Sequence, residues 1–403
     1  MIRCGYMLLA ALAIALGAVR AAEQPINFSR EIRPLLSEYC FACHGPDDQQ
    51  RKAKLRLDTK EGVISSKDGV HIIKPGASDD SELIKRLVTS DPDEIMPPPK
   101  VGKKLSAAQI DLLKRWIDQG AKWESHWAFE KPVRPALPKV QDQSWPKNEI
   151  DYFVLEKLEQ EKLKPQPEAP KSTLIRRSSL DSTGLPPTIE ELDAFLADGS
   201  PDAYEKVVNR LLESNRFGEQ MARYWLDGAR YADSHGYHID STRSIWKYRE
   251  WVIDAFNKNM PFSQFTVEQL AGDLLPNPTP SQKIGSGYVR CNMSTGEGGA
   301  IEEEYRAKYA FDRLETTSTM WLGLTMTCAR CHTHKYDPIT HKEYYSMLAF
   351  FNNMEEPIMD GNKPNPDPFM KIPSPQQAER QDWLKDSIAK AQAKVDEKIP
   401  DLD

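Results

Sequence analysis

The sequence predicts a mainly α-helical protein, with a small N-terminal domain followed by a larger, mainly helical one. Three observations predict it. Apolar residues recur at helical spacing along most of the chain, and no stretch sustains the alternation of a half-buried strand. A run holding Pro132, Pro135, Pro138 and Pro146 among charged residues separates the two parts. Each part carries one C-x-x-C-H sequence, Cys40-Phe41-Ala42-Cys43-His44 and Cys328-Ala329-Arg330-Cys331-His332.

With 28% charged and 39% apolar residues, the 403-residue chain reads as globular and on the polar side of average. Its net charge is −7 and it has no basic patch, so no nucleic-acid partner is expected. Residues 1–22 read as a secretory signal peptide. Arg3 marks the n-region, Met7 to Val19 the apolar h-region, and Val19-Arg20-Ala21 the cleavage site. The apolar run is shorter than the roughly 18 residues a membrane span needs. Cleavage would leave a periplasmic or otherwise exported chain with no transmembrane segment.

The order of residues in C-x-x-C-H has a chemical reason. Two thiols at that spacing add across two haem vinyl groups, and the tether holds the adjacent imidazole under the iron. Haem c is therefore expected on Cys40 and Cys43 with His44 as proximal ligand, and a second haem on Cys328 and Cys331 with His332. Two small disulfides, or one zinc ion shared by both cysteine pairs, would leave both histidines without a role. Cys291 reads as a small buried apolar residue.

Residues 23–125 have the layout of a class I cytochrome c. Phe28, Ile32, Leu35, Leu36 and Tyr39 share a helix face, with Ser29 as N-cap and Pro34 as an internal kink. That helix leads into the first motif, and Gly45-Pro46-Asp47-Asp48 ends it. Leu55 and Leu57 alternate in a short extended piece. Ser81 to Val88 forms a second helix through Leu83, Ile84 and Leu87. In Ile95-Met96-Pro97-Pro98-Pro99 the prolines stiffen a loop that would present the Met96 thioether as the second axial ligand. His71, the other candidate, falls in a loop and is expected to be solvated. Ser106 caps a last helix with Ile110, Leu113, Trp116 and Ile117 on one face, and Gly120 ends it.

Residues 126–147 form the semi-rigid linker. In 148–356, helices are expected around Ile150 to Leu158, over Thr173 to Ser182, and from a Thr188 cap with Glu191 at its third position. Tyr204 to Ser214, Gly218 to Tyr231, Trp246 to Asn257 and Phe265 to Leu270 follow. Gly285-Ser286-Gly287 and Gly296-Glu297-Gly298-Gly299 interrupt the helices without opening a phosphate-binding unit. Glu302-Glu303-Glu304 precedes a helix from Tyr305 to Leu324, where first-turn carboxylates favour the dipole; a cation site using Glu297 is the alternative.

No Met-Pro loop follows the second motif. His341, His235, His238 and Met293 are the candidates for its distal ligand, and an open position is the alternative. His334 is expected beside a haem propionate. Residues 357–403 comprise a Pro/Asn/Asp-rich loop and a charged helix, Gln376 to Lys398. There Leu384, Ile388, Ala391 and Val395 have the heptad-like spacing of a coiled coil or helical hairpin.

The first 125 residues resemble the Planctomycete cytochrome C domain. Cys40 to Pro46, Leu55-Arg56-Leu57-Asp58, Met96-Pro97-Pro98 and Trp116 to Ala121 carry the resemblance. Residues 148–355 resemble the domain of unknown function that follows it in such proteins. The matching pieces there are Asp181 to Thr188, Tyr231-Ala232-Asp233, Gln269 to Pro276, Glu297 to Ile301, Glu303 to Arg306 and Cys328 to Pro338. The resemblance implies exported haem proteins of bacteria that degrade complex polysaccharides.

Electron transfer through covalently bound haem c is the leading expectation, with a redox partner protein that the sequence does not name. The first alternative is a haem-dependent periplasmic oxidoreductase acting on carbohydrate, with Asp233, His235, His238, Glu297 and Arg306 as site candidates. The second is a cytochrome fused to a glycan- or protein-binding module.

Overall fold

The computed structural model describes residues 25–67, 69–125, 129–237, 239–334 and 337–398; the expected signal peptide and His238 lie outside them. The fold is mainly α-helical, and the described residues pair as strands only in one two-stranded hairpin. They form two compact units. Those within Met1–Gln166 and Met326–Tyr345 make one, and those within Pro167–Thr325 and Ser346–Asp403 the other. The second C-x-x-C-H motif thus belongs to the same unit as the first. The break between units falls at Gln166 rather than in the proline-rich run. That run stays in the first unit: Val140 is buried, and the Gln141 N–H donates to the Glu159 carboxylate at 2.9 Å.

The first unit opens with a π turn, Phe28–Ile32, that runs into helix α1, Arg33–Tyr39. Pro34 explains the change of pitch. It has no N–H to donate, so it is accommodated at the start of the α-helix, where that donor would be unpaired anyway, while the Arg33 N–H reaches back to the Phe28 carbonyl. The cap is Asn27, whose side chain accepts from the Arg30 N–H, and not Ser29. Ser29 instead donates its hydroxyl to the Ser125 carbonyl at 2.9 Å, tying the two ends of the cytochrome-like segment together.

Short helices α2, Phe41–His44, and α3, Lys60–Val63, follow. A hairpin pairs Ser66 with His71 and Lys67 with Val70, which places His71 on an exposed strand. Helices α4, Glu82–Val88, and α5, Ala107–Asp118, complete the core. The expected Ser106 cap is a full capping box with Gln109, and Gly120 leaves the helix at φ +99°. Phe28, Ile32, Leu36, Ile84, Leu113, Trp116 and Ile117 are buried together. Trp116 packs at 5.4 Å from the Phe28 ring and donates its indole N–H to the Lys122 carbonyl, so it is a core residue. Helix α6, Glu149–Gln160, is the last before the break.

The second unit is a helical assembly. It contains α7 Lys171–Thr183, α8 Ile189–Ala197, α9 Ala203–Leu212, α10 Asn215–Gly228, α11 Trp246–Asn257 and α12 Phe262–Ala271. Thr188 and Glu191 form the capping box expected of them. Helices α10 and α11 pack most extensively, around Ala222, Tyr248, Trp251, Val252 and Phe265. The glycines of 285–287 are packing residues: a Cβ on Gly285 would meet the Trp251 ring at 3.0 Å. They close the short helix α13, Pro280–Gly285, and lead into a 3-10 turn.

Helix α14, Glu302–Thr317, begins with its three glutamates exposed, and Glu302 and Glu304 pair with Arg306 and Lys308 one turn on. The buried Arg313 side chain is held by the Glu356 carboxylate, the Asn292 side chain and the Val289 carbonyl. Helix α15, His341–Leu348, and the long helix α16, Pro375–Lys398, complete the chain. No helix among the described residues is long and apolar enough to cross a membrane.

Candidate haem sites

The first motif is a single tight turn. Cys40 ends α1, and its carbonyl accepts from the Cys43 N–H at 3.1 Å and the His44 N–H at 2.8 Å. This turn puts both thiols and the imidazole within one helical turn, as thioether attachment at two vinyl groups demands. Gly45 must follow: a Cβ there would sit 2.3 Å from the Phe41 carbonyl oxygen. The segment behind is laced to the motif. The Lys52 N–H donates to the Cys43 carbonyl, the Leu57 N–H to the His44 carbonyl, and the Arg51 guanidinium to the carbonyls of Gly45 and Pro46.

Burial, helped by the neighbouring Cys43, pushes the Cys40 thiol up to about 12. Burial also lowers the His44 pKa, with the nearby Lys52 backbone offsetting part of the effect. His44 Nδ1 is buried with no hydrogen-bond partner. A buried nitrogen left unpaired beside two unpaired thiols suits a histidine whose bonding a haem iron and its surroundings complete. Met96 lies in the same unit, half-buried in its proline loop, with its N–H bonded to the Arg86 carbonyl of α4 at 2.8 Å.

The second motif is exposed where the first is half-buried. Cys328 and Cys331 are unpaired and exposed, in and just after a 3-10 turn, Thr327–Arg330. His332 Nδ1 lies 2.8 Å from the Thr333 carbonyl, which only accepts, so Nδ1 carries the proton and Nε2 presents the lone pair. That is the tautomer an iron ligand needs, held by a carbonyl as metal-binding histidines are. These residues fit a covalently attached haem at both motifs.

Burial lowers the pKa of Arg33 in α1, and Asp58 and Asp337 oppose that effect. Asp337 follows His332 by five residues.

The distal candidates differ in placement and in which ring nitrogens are engaged. His235 lies in the second unit with both ring nitrogens engaged, Nδ1 with Ser294 Oγ at 2.6 Å and Nε2 with the Lys363 carbonyl at 3.0 Å. Met293, in the same unit, packs over Gly236. His341 shares the motif's unit, and its Nδ1 is bonded to the Ala329 carbonyl inside the motif. His334 is buried, and its Nδ1 accepts from the Asp337 N–H at 2.8 Å, so it clamps the loop that follows the motif.

The described alternative site residues each have a partner, and Tyr237 packs against Tyr305, beside Arg306 in the chain, with ring centroids 5.5 Å apart. Asp233 accepts from the Tyr231 hydroxyl at 2.7 Å, Glu297 from the Ile239 N–H, and Arg306 pairs with Glu302 on the surface. The structure instead gathers His235, Arg243, Ser294 and Asp360. Arg243 donates to Ser294 Oγ at 2.7 Å, and Asp360 Oδ2 is 2.8 Å from the same oxygen. All four side chains are buried. Ser294, Arg243 and Asp360 were not legible in the sequence, because no local spacing links residues so far apart in the chain. The one hint is Gly296, where a Cβ would meet the Asp360 and Asn362 side chains. Among the described residues, no group of three or more His, Cys, Asp or Glu could hold a metal ion.

A helical first unit built around a C-x-x-C-H turn defines a cytochrome c-like protein. Residues 40–100 match the family described as Planctomycete cytochrome C. Residues 149–356, over half the chain, match the PSCyt2 family, described as proteins of unknown function (DUF1549), and the chain belongs to that family. No curated protein and no solved structure matches it.

Proposed function

We propose that this protein is an exported c-type cytochrome that transfers electrons through two covalently attached haems in one unit. Cys40 and Cys43 tether the first, with His44 and Met96 as axial ligands. Cys328 and Cys331 tether the second, with His332 as proximal ligand. Haem iron supplies reversible one-electron chemistry, and a His/Met pair raises its potential. The chain's own residues anchor, orient and shield. The α1–α2 turn fixes the first pair of thiols, half-burial of Cys40 and His44 partly shields that site, and the Thr333 carbonyl aims His332.

One observation carries the reading: residues 326–345, remote in sequence, join the unit that holds the first motif. Sharing a unit is what a relay between two centres needs, and a merely structural second motif would not need it.

The test is to express the whole chain with a haem-ligation system, measure intact mass, and titrate the absorbance against potential. Two haems and two reversible one-electron waves are expected. One haem would overturn the two-centre relay, and none would overturn the reading altogether. His332→Ala should abolish one wave and leave the other; two unchanged waves would exclude His332 as a ligand.

A further inference from the structure

Helix α16 is 24 residues long, about 36 Å. Of its described residues only Ala378 and Ser387 are even half-buried, and Ile388 is 66% exposed. In proteins most helical stability comes from packing an amphipathic face rather than from propensity. That face exists: Leu384, Ile388, Ala391 and Val395 fall at alternating three- and four-residue intervals, the a/d seam of a coiled coil.

The seam's foot is continuous with a groove of about 600 Å³ lined by Phe369, Met370, Ile372 and Pro373, with Gln377 and Gln381 of the helix on its other side. The groove wall is fixed to the second unit, because the buried-side Arg290 guanidinium donates to the carbonyls of Pro366 and Pro368, at 3.2 Å each.

The charges on α16 are segregated. With Ile388 at position a, every charge at e and g is basic, namely Arg380, Lys385 and Lys394. Glu379, Asp382, Asp386, Asp396 and Glu397 lie at b, c and f together with Lys390, and Lys385 and Lys390 pair with Asp382 and Asp386. A second copy is therefore a poor occupant. Parallel pairing in register sets Arg380 against Lys385 of the other copy, and antiparallel pairing brings e to e and g to g, with no acid at either. Like charges along the flanks of a seam select against a pair, and opposite charges select for it.

We propose that the α16 seam and its groove dock an amphipathic helix of another protein, whose Leu/Ile stripe is flanked by glutamates or aspartates. This is independent of the haem assignment. The basic flanks set the partner's identity, and the seam with its groove supplies the buried area.

The test uses the full chain and two synthetic three-heptad peptides, both with Ile at a and Leu at d, one with Glu and the other with Lys at every e and g. Calorimetric titration should show the Glu peptide binding at least about tenfold tighter than the Lys peptide, and less tightly as salt is raised. The triple variant Arg380→Glu, Lys385→Glu, Lys394→Glu should reverse that order, and Ile388→Asp should abolish binding of both. Circular dichroism of each variant checks that the helix persists. Equal affinity for the two peptides, binding of neither, or a preference that charge reversal leaves unchanged would overturn the proposal. So would light scattering that shows a dimer which Ile388→Asp dissociates, since the seam would then belong to a second copy.

Discussion

Cys40 and Cys328 occupy the same position in identical motifs, yet their chemistry differs through burial. The Cys40 thiol, pushed up to about 12, carries almost no thiolate near neutral pH, whereas Cys328 and Cys331 stand exposed. Cys291 is buried and likewise pushed up to about 12 by that burial. In haem-free protein, iodoacetamide should therefore modify Cys328 and Cys331 first and Cys40 and Cys291 last, as read by peptide mass mapping. Equal rates at all four would show that Cys40 is open to solvent.

His44 makes a prediction of opposite sign to the usual histidine bridge. Its folded pKa is lowered, so the unfolded chain binds the proton more readily than the folded one. Stability of the haem-free chain should be full above the ordinary imidazole value near 6.5, then fall as pH drops from there to the lower folded value, and level off below it. A His44→Phe variant should lose this segment of the denaturation-versus-pH curve. The order of residues in Cys40–His44 was enough to single it out as a candidate haem site. The orphaned Nδ1 was not legible, because it depends on the tertiary packing around the ring.

Among the elements, the caps and helix stops were the most legible features. Ser106, Thr188 and Gly120 act locally, through side-chain and backbone geometry that a few neighbouring residues determine. The misplaced cap at Ser29 has a local cause too: the π turn before Pro34 begins two residues earlier, so Asn27 takes the role. What spacing could not show is which polar side chains meet inside the second unit. Arg313 of α14 reaches Glu356, and both side chains are buried. Glu356→Ala should leave the Arg313 charge uncompensated and destabilise the unit by about 3–5 kcal/mol, measured by chemical denaturation. The double variant Arg313→Met, Glu356→Leu should recover only part of that loss, since it removes the buried Arg313 charge but leaves Arg290, 3.3 Å from the Glu356 carboxylate, without its partner. A loss under about 1 kcal/mol in the single variant would mean water reaches the pair.

At the scale of the whole molecule, the unexpected feature is that residues 326–345 return to the first unit. Periodicity assigned them to the second domain, because chain order is all that a sequence displays and a non-local return has no local signature. A fragment ending at Gln166 should take up one haem and lose its haem absorbance at lower denaturant than the first haem of the full chain, because it lacks the segment that brings Asp337 towards Arg33. An identical midpoint would show that the return adds nothing to the first unit's stability.

The same return governs the order of assembly. A chain that emerges N-terminus first can close the α1–α2 turn early, yet its first unit stays unfinished until residue 345 is available, after all of 167–325 has been made. Cys40 and Cys43 are thus offered to the haem-attaching machinery on a half-built unit, while Cys328 and Cys331 arrive last and remain on the surface. The half-buried thiols have a time limit for modification that the exposed ones lack. Attachment at Cys40 should therefore be the step that fails first when haem supply is short.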